Sequence, residues 1–246
     1  MESAVFREVP TPLVSEQDFL RFSVQFDPAD WHEKLPADVG LSLPATLARA
    51  VPKRKMEFLA GRYCISRALI LGGFSRNMVT IPSLENRAPL FPVGLTGSIT
   101  HTTSFASGVV VPVGRKHVCS VGIDTEMVLT EKTLDNIGSR IMHDAEWDAR
   151  GQSGLGDREY ATVLFSAKES IYKCLFPVVQ CWFGFHDVML EGIDGPDGRF
   201  RFRLEKDLSP DYKKGWLGEG RYLVEGPLVH TQSALPYRHG RPRGSG

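Results

Sequence analysis

Two acidic side chains at the end of an apolar run are the first residues whose types and spacing suggest chemistry. Asp124 and Glu126 end the segment Val121-Gly-Ile-Asp-Thr-Glu126, and on an extended strand residues two apart point to the same face. Two carboxylates held side by side repel each other unless a cation or a proton lies between them. Magnesium suits such a pair, because it binds one or two carboxylates and completes its shell with water and substrate phosphate. The alternative is a solvated strand end.

A third acid stands one helical turn before a lysine. Glu169 and Lys173 are four residues apart, so they share one face of a helix. A solvated ion pair with this spacing is common and contributes only about 0.3–0.5 kcal/mol. The neighbours Phe165, Ile171 and Tyr172 leave little room for a wholly solvated helix, which favours a partly buried pair.

A histidine and several dispersed cations form the remaining candidate set. Thr100 and His101 end a short apolar segment in which hydroxyls, backbone N–H groups and an imidazole can hold a phosphate. Arg54, Arg62 and Arg87 can bind phosphates through two parallel hydrogen bonds. The plainer alternatives are a hydrogen-bonded turn histidine and solvated charged faces.

The elements that must position these residues follow the order helix, strands, helices, strands. The apolar pattern predicts helices over Pro52–Leu71, Glu131–Arg150 and Asp157–Phe176, with Asp157 as an N-cap and Pro177 as the end of the last helix. Strands are predicted over Leu20–Phe26, Leu95–Thr100, Ala106–Val113, His117–Asp124, His186–Gly192, Arg199–Lys206 and Arg221–Leu228. This order predicts an α+β fold rather than a regular βαβ alternation. The sequence has no glycine-rich nucleotide loop of the usual kinds.

Composition excludes several broad classes. The 246 residues contain 29 Lys and Arg against 29 Asp and Glu, so no global field attracts nucleic acid or a membrane surface. No stretch approaches the ~18 apolar residues that a membrane span needs, and no signal peptide is evident, which predicts a cytoplasmic protein. The spacing of the four cysteines is that of neither a zinc site nor a disulfide framework, which favours reduced thiols: Cys64, Cys119, Cys174 and Cys181.

Four segments, taken together and in this order, resemble one enzyme family. They are Arg54…Phe58-Leu-Ala-Gly-Arg62, Gly97-Ser-Ile-Thr-His101, Gly122-Ile-Asp-Thr-Glu126 and Phe165-Ser-Ala-Lys-Glu-Ser-Ile-Tyr-Lys173. The chain resembles the 4′-phosphopantetheinyl transferases of the surfactin/enterobactin type over roughly residues 44 to 190, and is closer to the enterobactin branch, as Phe176-Pro…Trp182-Phe-Gly-Phe-His-Asp-Val188 also indicates. It departs from the family in having Thr100 before the histidine and Asn86-Arg87-Ala88-Pro89 in place of a Gly-Lys-Pro loop.

The resemblance implies two pseudo-symmetric α+β halves with coenzyme A in the cleft between them. The halves are expected to be residues 1–116 and 117–236, followed by a disordered tail over 237–246. The resemblance also assigns roles to particular residues: the metal, magnesium or manganese, to Asp124, Glu126 and Glu169; phosphate contacts to Thr100, His101, Lys173 and Arg87; and the 3′-phosphoadenosine end to Arg54 and Arg62. A further hypothesis is that either Glu169 or Lys173 accepts the proton of the attacking serine, directly or through metal-bound water, and the sequence does not choose between them. Glu146 loosely matches a further family acid.

The activity so implied is magnesium-dependent transfer of 4′-phosphopantetheine from coenzyme A to a serine of an apo acyl- or peptidyl-carrier protein, with release of 3′,5′-ADP. The expected setting is siderophore, polyketide or nonribosomal peptide biosynthesis, and the expected state is a monomer that binds neither nucleic acid nor membrane. Two alternatives remain open at this point. One is a magnesium-dependent phosphohydrolase, and the other is a coenzyme A-binding or carrier-binding module without catalysis.

Overall fold

The computed structural model describes residues 4–13, 19–74, 81–83, 88–113, 118–195 and 198–236. Its strands are β1 Arg7–Val9, β2 Leu20–Gln25, β3 Leu95–His101, β4 Phe105–Pro112, β5 Val118–Met127, β6 Val188–Asp194, β7 Arg199–Leu204, β8 Leu217–Glu225 and β9 Leu228–Pro236. Its α-helices are α1 Leu35–Asp38, α2 Pro52–Leu71, α3 Glu131–Ile141, α4 Asp144–Asp148 and α5 Asp157–Val179. Short 3₁₀ turns occupy Pro28–Asp30, Ala45–Leu47, Ala149–Gln152 and Phe185–Asp187.

Two antiparallel sheets, each covered by one long helix, confirm the predicted α+β class. The first sheet has the order β1-β2-β4-β3 and packs against α2, while the second has the order β5-β9-β8-β7-β6 and packs against α5. Proline in the first turn of α2 and Gly72 after its last residue give this helix the bounds that the sequence predicts. The predicted boundary between residues 116 and 117 and the predicted tail lie outside the described residues.

Facing strands join the two halves through side-chain hydroxyls. Ser98 and Thr100 of β3 accept hydrogen bonds from the backbone N–H groups of Ile123 and Thr125 of β5, at 3.1 and 2.8 Å. An apolar cluster lies beside this contact, and its buried members come from both halves: Phe19, Val109, Val111, Val118, Val121 and Ile123. The ends of β3 and β5, which carry Thr100-His101 and Asp124, are therefore held next to each other.

Gly122 allows β5 to lie directly on α5. A Cβ atom at this position would be 2.0 Å from the Ser170 carbonyl oxygen and 2.6 Å from the Cys174 nitrogen. Both atoms belong to the helix backbone, so no side-chain rotation can relieve the clash. The glycine two residues before Asp124 therefore sets the distance between this acid and the helix that carries Glu169 and Lys173.

Gly122→Ala is expected to lower the free energy of unfolding by about 1–3 kcal/mol, the usual cost of forcing extra volume into a packed interior. Chemical denaturation measures the change. Gly151→Ala is the matched control, since a Cβ there meets no atom within 4 Å. Equal stability of the two variants would contradict direct strand–helix contact.

Three predicted helix boundaries are wrong. The helix predicted over Glu131–Arg150 is two helices, because Met142 and His143 have extended backbones and the His143 N–H donates to Glu146 Oε2. Gly156, not Asp157, is the N-cap of α5. This helix also continues through Pro177 and ends at Gln180, whose left-handed backbone (φ 51°) stops it; packing of Val179 against the core offsets the hydrogen bond that proline removes.

The strand predicted over Arg221–Leu228 is in fact parts of two strands. β8 and β9 form a hairpin in which Glu225 pairs with Leu228 across Gly226-Pro227. β9 lies between β5 and β8 in the second sheet, so it places residues directly beside Asp124.

Of the four cysteines, Cys64 and Cys174 are buried, and Cys119 and Cys181 are partly buried. Among the described residues, no helix is both long enough and apolar enough to cross a bilayer.

Candidate active site

Asp124 is the buried centre of the site. Its side chain accepts hydrogen bonds from Lys173 Nζ at 2.6 Å and the Thr100 hydroxyl at 3.4 Å, both on Oδ1, and from the Ser166 hydroxyl at 2.8 Å on Oδ2. Only 4% of the residue is exposed. β3, β5 and α5 thus converge on one carboxylate, which the sequence identified but whose partners it did not.

Glu126 and Glu169 lie close enough to Asp124 for its charge to raise their pKa values. Burial and then the charge of Asp124 raise the pKa of Glu126 to about 7; Lys173 opposes this shift, and Glu169 adds a smaller increase. Burial also raises the pKa of Glu169, with Asp124 adding to the shift and Lys173 opposing it. Three carboxylates therefore share a partly dry region with one close ammonium group, which leaves an excess of negative charge.

Lys173 is held as an ammonium ion. Burial alone lowers its pKa, but its 2.6 Å contact with Asp124 and the charges of Glu169 and Glu126 raise the pKa above its ordinary value. A protonated lysine has no lone pair with which to accept a proton. Of the two predicted proton acceptors, the electrostatics therefore favour Glu169.

His101 is neutral and lies between this acid cluster and α2. Burial, with smaller contributions from Arg54 and Lys173, lowers its pKa to about 4. Arg54 NH1 is 3.2 Å from His101 Nε2, so this ring nitrogen is the acceptor of the guanidinium hydrogen bond. Arg54 also lies 3.6 Å from Glu57 and remains exposed.

Arg62 lies elsewhere along α2, in a more enclosed position. It is only 7% exposed, its NH2 group donates to Ser83 at 2.7 Å, and its guanidinium lies 5.0 Å from the Phe58 ring centroid. Nε and NH1 are buried and find no hydrogen-bond partner among the described residues. Burial lowers its pKa to about 10, so it remains a cation at neutral pH with two donors available to an anion.

The acids suit a hard cation by charge and donor type. Excess carboxylate charge and oxygen donors are what magnesium requires. In the geometry of the described residues, however, no three His, Cys, Asp or Glu side chains are grouped closely enough to hold one ion. Asp124 instead meets the ammonium of Lys173, which already supplies one positive charge.

Glu146 is separate from this cluster. It is 1% exposed and forms a 2.7 Å ion pair with Lys168, while the N–H groups of His143 and Leu190 donate to its two oxygens. Lys168 Nζ also donates to the Ile141 carbonyl at 2.9 Å. The pair therefore ties α3, α4 and β6 to α5 at the residue before Glu169.

The sequence analysis missed two residues of the site, and one residue that it predicted lies outside the described part of the chain. Ser166 precedes Glu169 by three residues and Lys173 by seven, so helical spacing alone would have put it on their face. Thr231 is 2.9 Å from the Ser166 hydroxyl, but it belongs to the unpredicted strand β9. Arg87 lies outside the described residues, so its role stays a prediction.

Glu126→Gln is expected to remove part of the pH dependence of folding stability. The carboxyl of Glu126 ionises near pH 4.5 when unfolded and near pH 7 when folded, so the wild type loses stability as the pH rises through this interval. The stability advantage of the variant should grow over the same interval and then level off. The buried histidines His101 and His230, whose folded pKa values are about 4, act in the opposite direction but are common to both proteins.

Denaturant unfolding in EDTA at pH 4.5, 6 and 8 measures that advantage as a difference between the two proteins. A difference that does not change with pH would show that Glu126 is not the ionising group described above.

The two α+β halves meet at a site that contains three acids, an ammonium group and arginines. A site of this composition defines a protein that binds an anionic ligand. Comparisons with known proteins specify the family. Residues 43–111 match the profile of the 4′-phosphopantetheinyl transferase N-terminal domain, and residues 120–225 match that of the 4′-phosphopantetheinyl transferase superfamily. The chain belongs to the 4′-phosphopantetheinyl transferase superfamily and is an enzyme of the transferase class.

Curated relatives span most of the chain. The 4′-phosphopantetheinyl transferase Npt of Nocardia iowensis is 33% identical over 199 residues, which are 76% of this chain and 85% of that protein. PptT of Mycobacterium tuberculosis is 35% identical over 196 residues, which are 77% and 82% of the two chains. Enterobactin synthase component D of Escherichia coli K12 is 35% identical over 170 residues, which are 68% and 75%. The predicted likeness to the enterobactin type is confirmed.

Proposed function

We propose that this enzyme transfers the 4′-phosphopantetheine group of coenzyme A to a serine hydroxyl of an apo acyl- or peptidyl-carrier protein and releases 3′,5′-ADP. The observation that carries the proposal is the excess of partly buried carboxylate charge at Asp124, Glu126 and Glu169 beside the Lys173 ammonium. A pyrophosphate needs a cation to approach such acids, and an ammonium group can contact its oxygens directly.

The proposal includes a magnesium ion held by Asp124, Glu126 and Glu169, with manganese as an alternative. When bound, the ion neutralises negative charge on the pyrophosphate. The donor types fit this role, although no three acids among the described residues are grouped around one point.

The protein's own residues supply a proton acceptor and a fixed positive charge. The carrier serine oxygen attacks the phosphorus that bears the pantetheine, the bond from this phosphorus to the 3′,5′-ADP oxygen breaks, and the serine proton passes to Glu169. Glu169 is assigned this role because Lys173 is already protonated and cannot accept a proton. Lys173 remains protonated and offsets phosphate charge, so positioning and electrostatics carry the reaction.

The nucleotide end of coenzyme A is assigned to cations of the first half. Arg62 offers two buried donors without partners in the described chain, and Arg54 and His101 form a hydrogen-bonded pair next to the acid cluster. Thr100 and His101 provide a hydroxyl and a neutral imidazole for phosphate oxygens, and Arg87 is proposed for a further phosphate. The division into halves at residues 116 and 117 is part of the same proposal.

The proposed biological setting is inferred from the names of the relatives. Carrier domains of siderophore, polyketide or nonribosomal peptide synthesis are the proposed partners, and a cytoplasmic monomer is the proposed state. The pseudo-symmetric pair of halves within one chain supports the monomer, because both sides of the junction come from the same molecule.

Intact-mass spectrometry of an apo carrier protein tests the proposal. Incubation with this enzyme, coenzyme A and magnesium is expected to add one phosphopantetheine group to the carrier, and EDTA is expected to prevent the addition. Consumption of coenzyme A without a gain in carrier mass would instead establish a hydrolase. Neither reaction with any carrier, while coenzyme A still binds, would contradict the proposed transfer.

A further inference from the structure

We propose that Ser166 and Thr231 are positioning residues that hold Asp124 in the orientation required for cation binding. The inference rests on the function proposed above, since it concerns the acid assigned to the metal. It starts from a hydrogen-bonded row that crosses three elements: Thr231 on β9, Ser166 on α5 and Asp124 on β5.

Each hydroxyl in this row has a single hydrogen to donate. An ionised Asp124 can only accept, so the hydroxyl hydrogen of Ser166 is donated to Oδ2 at 2.8 Å. The Thr231 hydroxyl donates to the Ser166 carbonyl oxygen at 2.8 Å and contacts the Ser166 hydroxyl oxygen at 2.9 Å. Thr231 thus restrains Ser166, and Ser166 restrains one carboxylate oxygen.

The second oxygen of Asp124 is left to meet cations. Oδ1 receives the Lys173 ammonium at 2.6 Å and the Thr100 hydroxyl at the longer distance of 3.4 Å. Fixing Oδ2 prevents the carboxylate from turning Oδ1 away from this side. Ser166 therefore restrains Asp124 through Oδ2, and the charge that acts on the ligand is presented at Oδ1.

Burial makes the hydroxyls hard to replace. Ser166 and Thr231 are 0% and 1% exposed, so solvent does not supply a substitute donor without a rearrangement. Thr231 is also the register partner of Asp124 in the β5–β9 pair, which places both side chains on the sheet face that α5 covers. Partners behind a metal-binding side chain typically affect affinity or activity by about 10–100-fold.

The same helix provides a matched control one turn later. Ser170 is buried, lies 3.3 Å from the hydroxyl of Ser233 and donates to the Ala167 carbonyl, and Ser233 is the register partner of Gly122. Both rows join buried hydroxyl side chains of α5 and β9, but only the first ends on a carboxylate. A purely structural role would make them equivalent.

The experiment compares Ser166→Ala and Thr231→Val with Ser170→Ala and with Thr231→Ser, which retains the hydroxyl. Mn²⁺ binding is measured by electron paramagnetic resonance with coenzyme A present and no carrier protein, so that no turnover occurs, and Asp124→Asn defines binding at this site. Ser166→Ala is expected to weaken Mn²⁺ binding by about 10–100-fold. Thr231→Val should weaken it less, and Thr231→Ser and Ser170→Ala should leave it unchanged.

The outcomes separate this inference from the proposed function. If Ser166→Ala and Ser170→Ala bind Mn²⁺ as the wild type does, the positioning role is overturned while the metal site stands. If the wild type and Asp124→Asn bind equally, both proposals fail. Should Ser166→Ala not fold, Thr231→Val against Thr231→Ser decides the question, because equal Mn²⁺ affinity of these two would overturn the inference.

Discussion

Replacing Asp124 with asparagine is expected to lower kcat/KM for phosphopantetheine transfer by about 10²–10³-fold or more, the range found when one preorganised electrostatic group is removed from an active site. Asparagine keeps the size of the side chain, and its single amide oxygen can still accept from either Ser166 or Thr100. It removes the charge that Lys173 contacts at 2.6 Å and that the proposed cation requires. The carrier mass assay, run as a time course at several magnesium concentrations, measures the loss.

Asp207→Asn is the control for this variant. Asp207 also forms an aspartate–lysine pair, with Lys213 at 3.0 Å, but both side chains are more than half exposed. Transfer by this control should equal that of the wild type. Full activity of Asp124→Asn at ordinary magnesium would remove the basis for the proposed metal site.

The second large effect concerns stability. Lys168→Met is expected to lower the free energy of unfolding by about 3–5 kcal/mol, because it leaves the carboxylate of Glu146 buried without its counter-charge. The two side chains are 1% and 0% exposed, and the lysine also bonds the end of α3 through the Ile141 carbonyl. Chemical denaturation at neutral pH measures the change.

Two comparisons make the result specific. Lys213→Met removes an exposed ion pair of similar length and should cost no more than ~1 kcal/mol. Combining Lys168→Met with Glu146→Gln removes both charges and should recover part of the lost stability. If Lys168→Met and Lys213→Met proved equally mild, the Glu146–Lys168 contact would not be the buried ion pair described above.

Local signals made much of the fold predictable from the sequence. The bounds of α2 were predicted as observed, because a proline in the first turn and a glycine pair after the last are strong punctuation. The run before Asp124 was predicted as a strand because it is apolar and ends in charge. The same expectation, that proline marks a helix boundary, failed at Pro177. There the packing of Val179 against the core outweighed a lost backbone hydrogen bond.

The sequence analysis selected the acids of the candidate site but not the side chains that contact them. Helical spacing related Lys173 to Glu169, whereas its 2.6 Å contact is with Asp124 on a distant strand. Thr231 was missed because one strand was predicted across the Gly226-Pro227 turn that precedes β9. Contacts between elements depend on how sheets and helices pack, and a single sequence with no alignment carries no direct record of that packing.

The hydroxyl contacts between β3 and β5 have a consequence for association with other chains. Each strand is the outermost of its own sheet, and an open strand edge with unpaired N–H groups is a template for aggregation. Ser98 and Thr100 occupy the outward N–H groups of Ile123 and Thr125. The side chains of β3 thereby protect the edge of β5 without merging the two sheets into one, and the second half produced alone would expose an edge that the intact chain conceals.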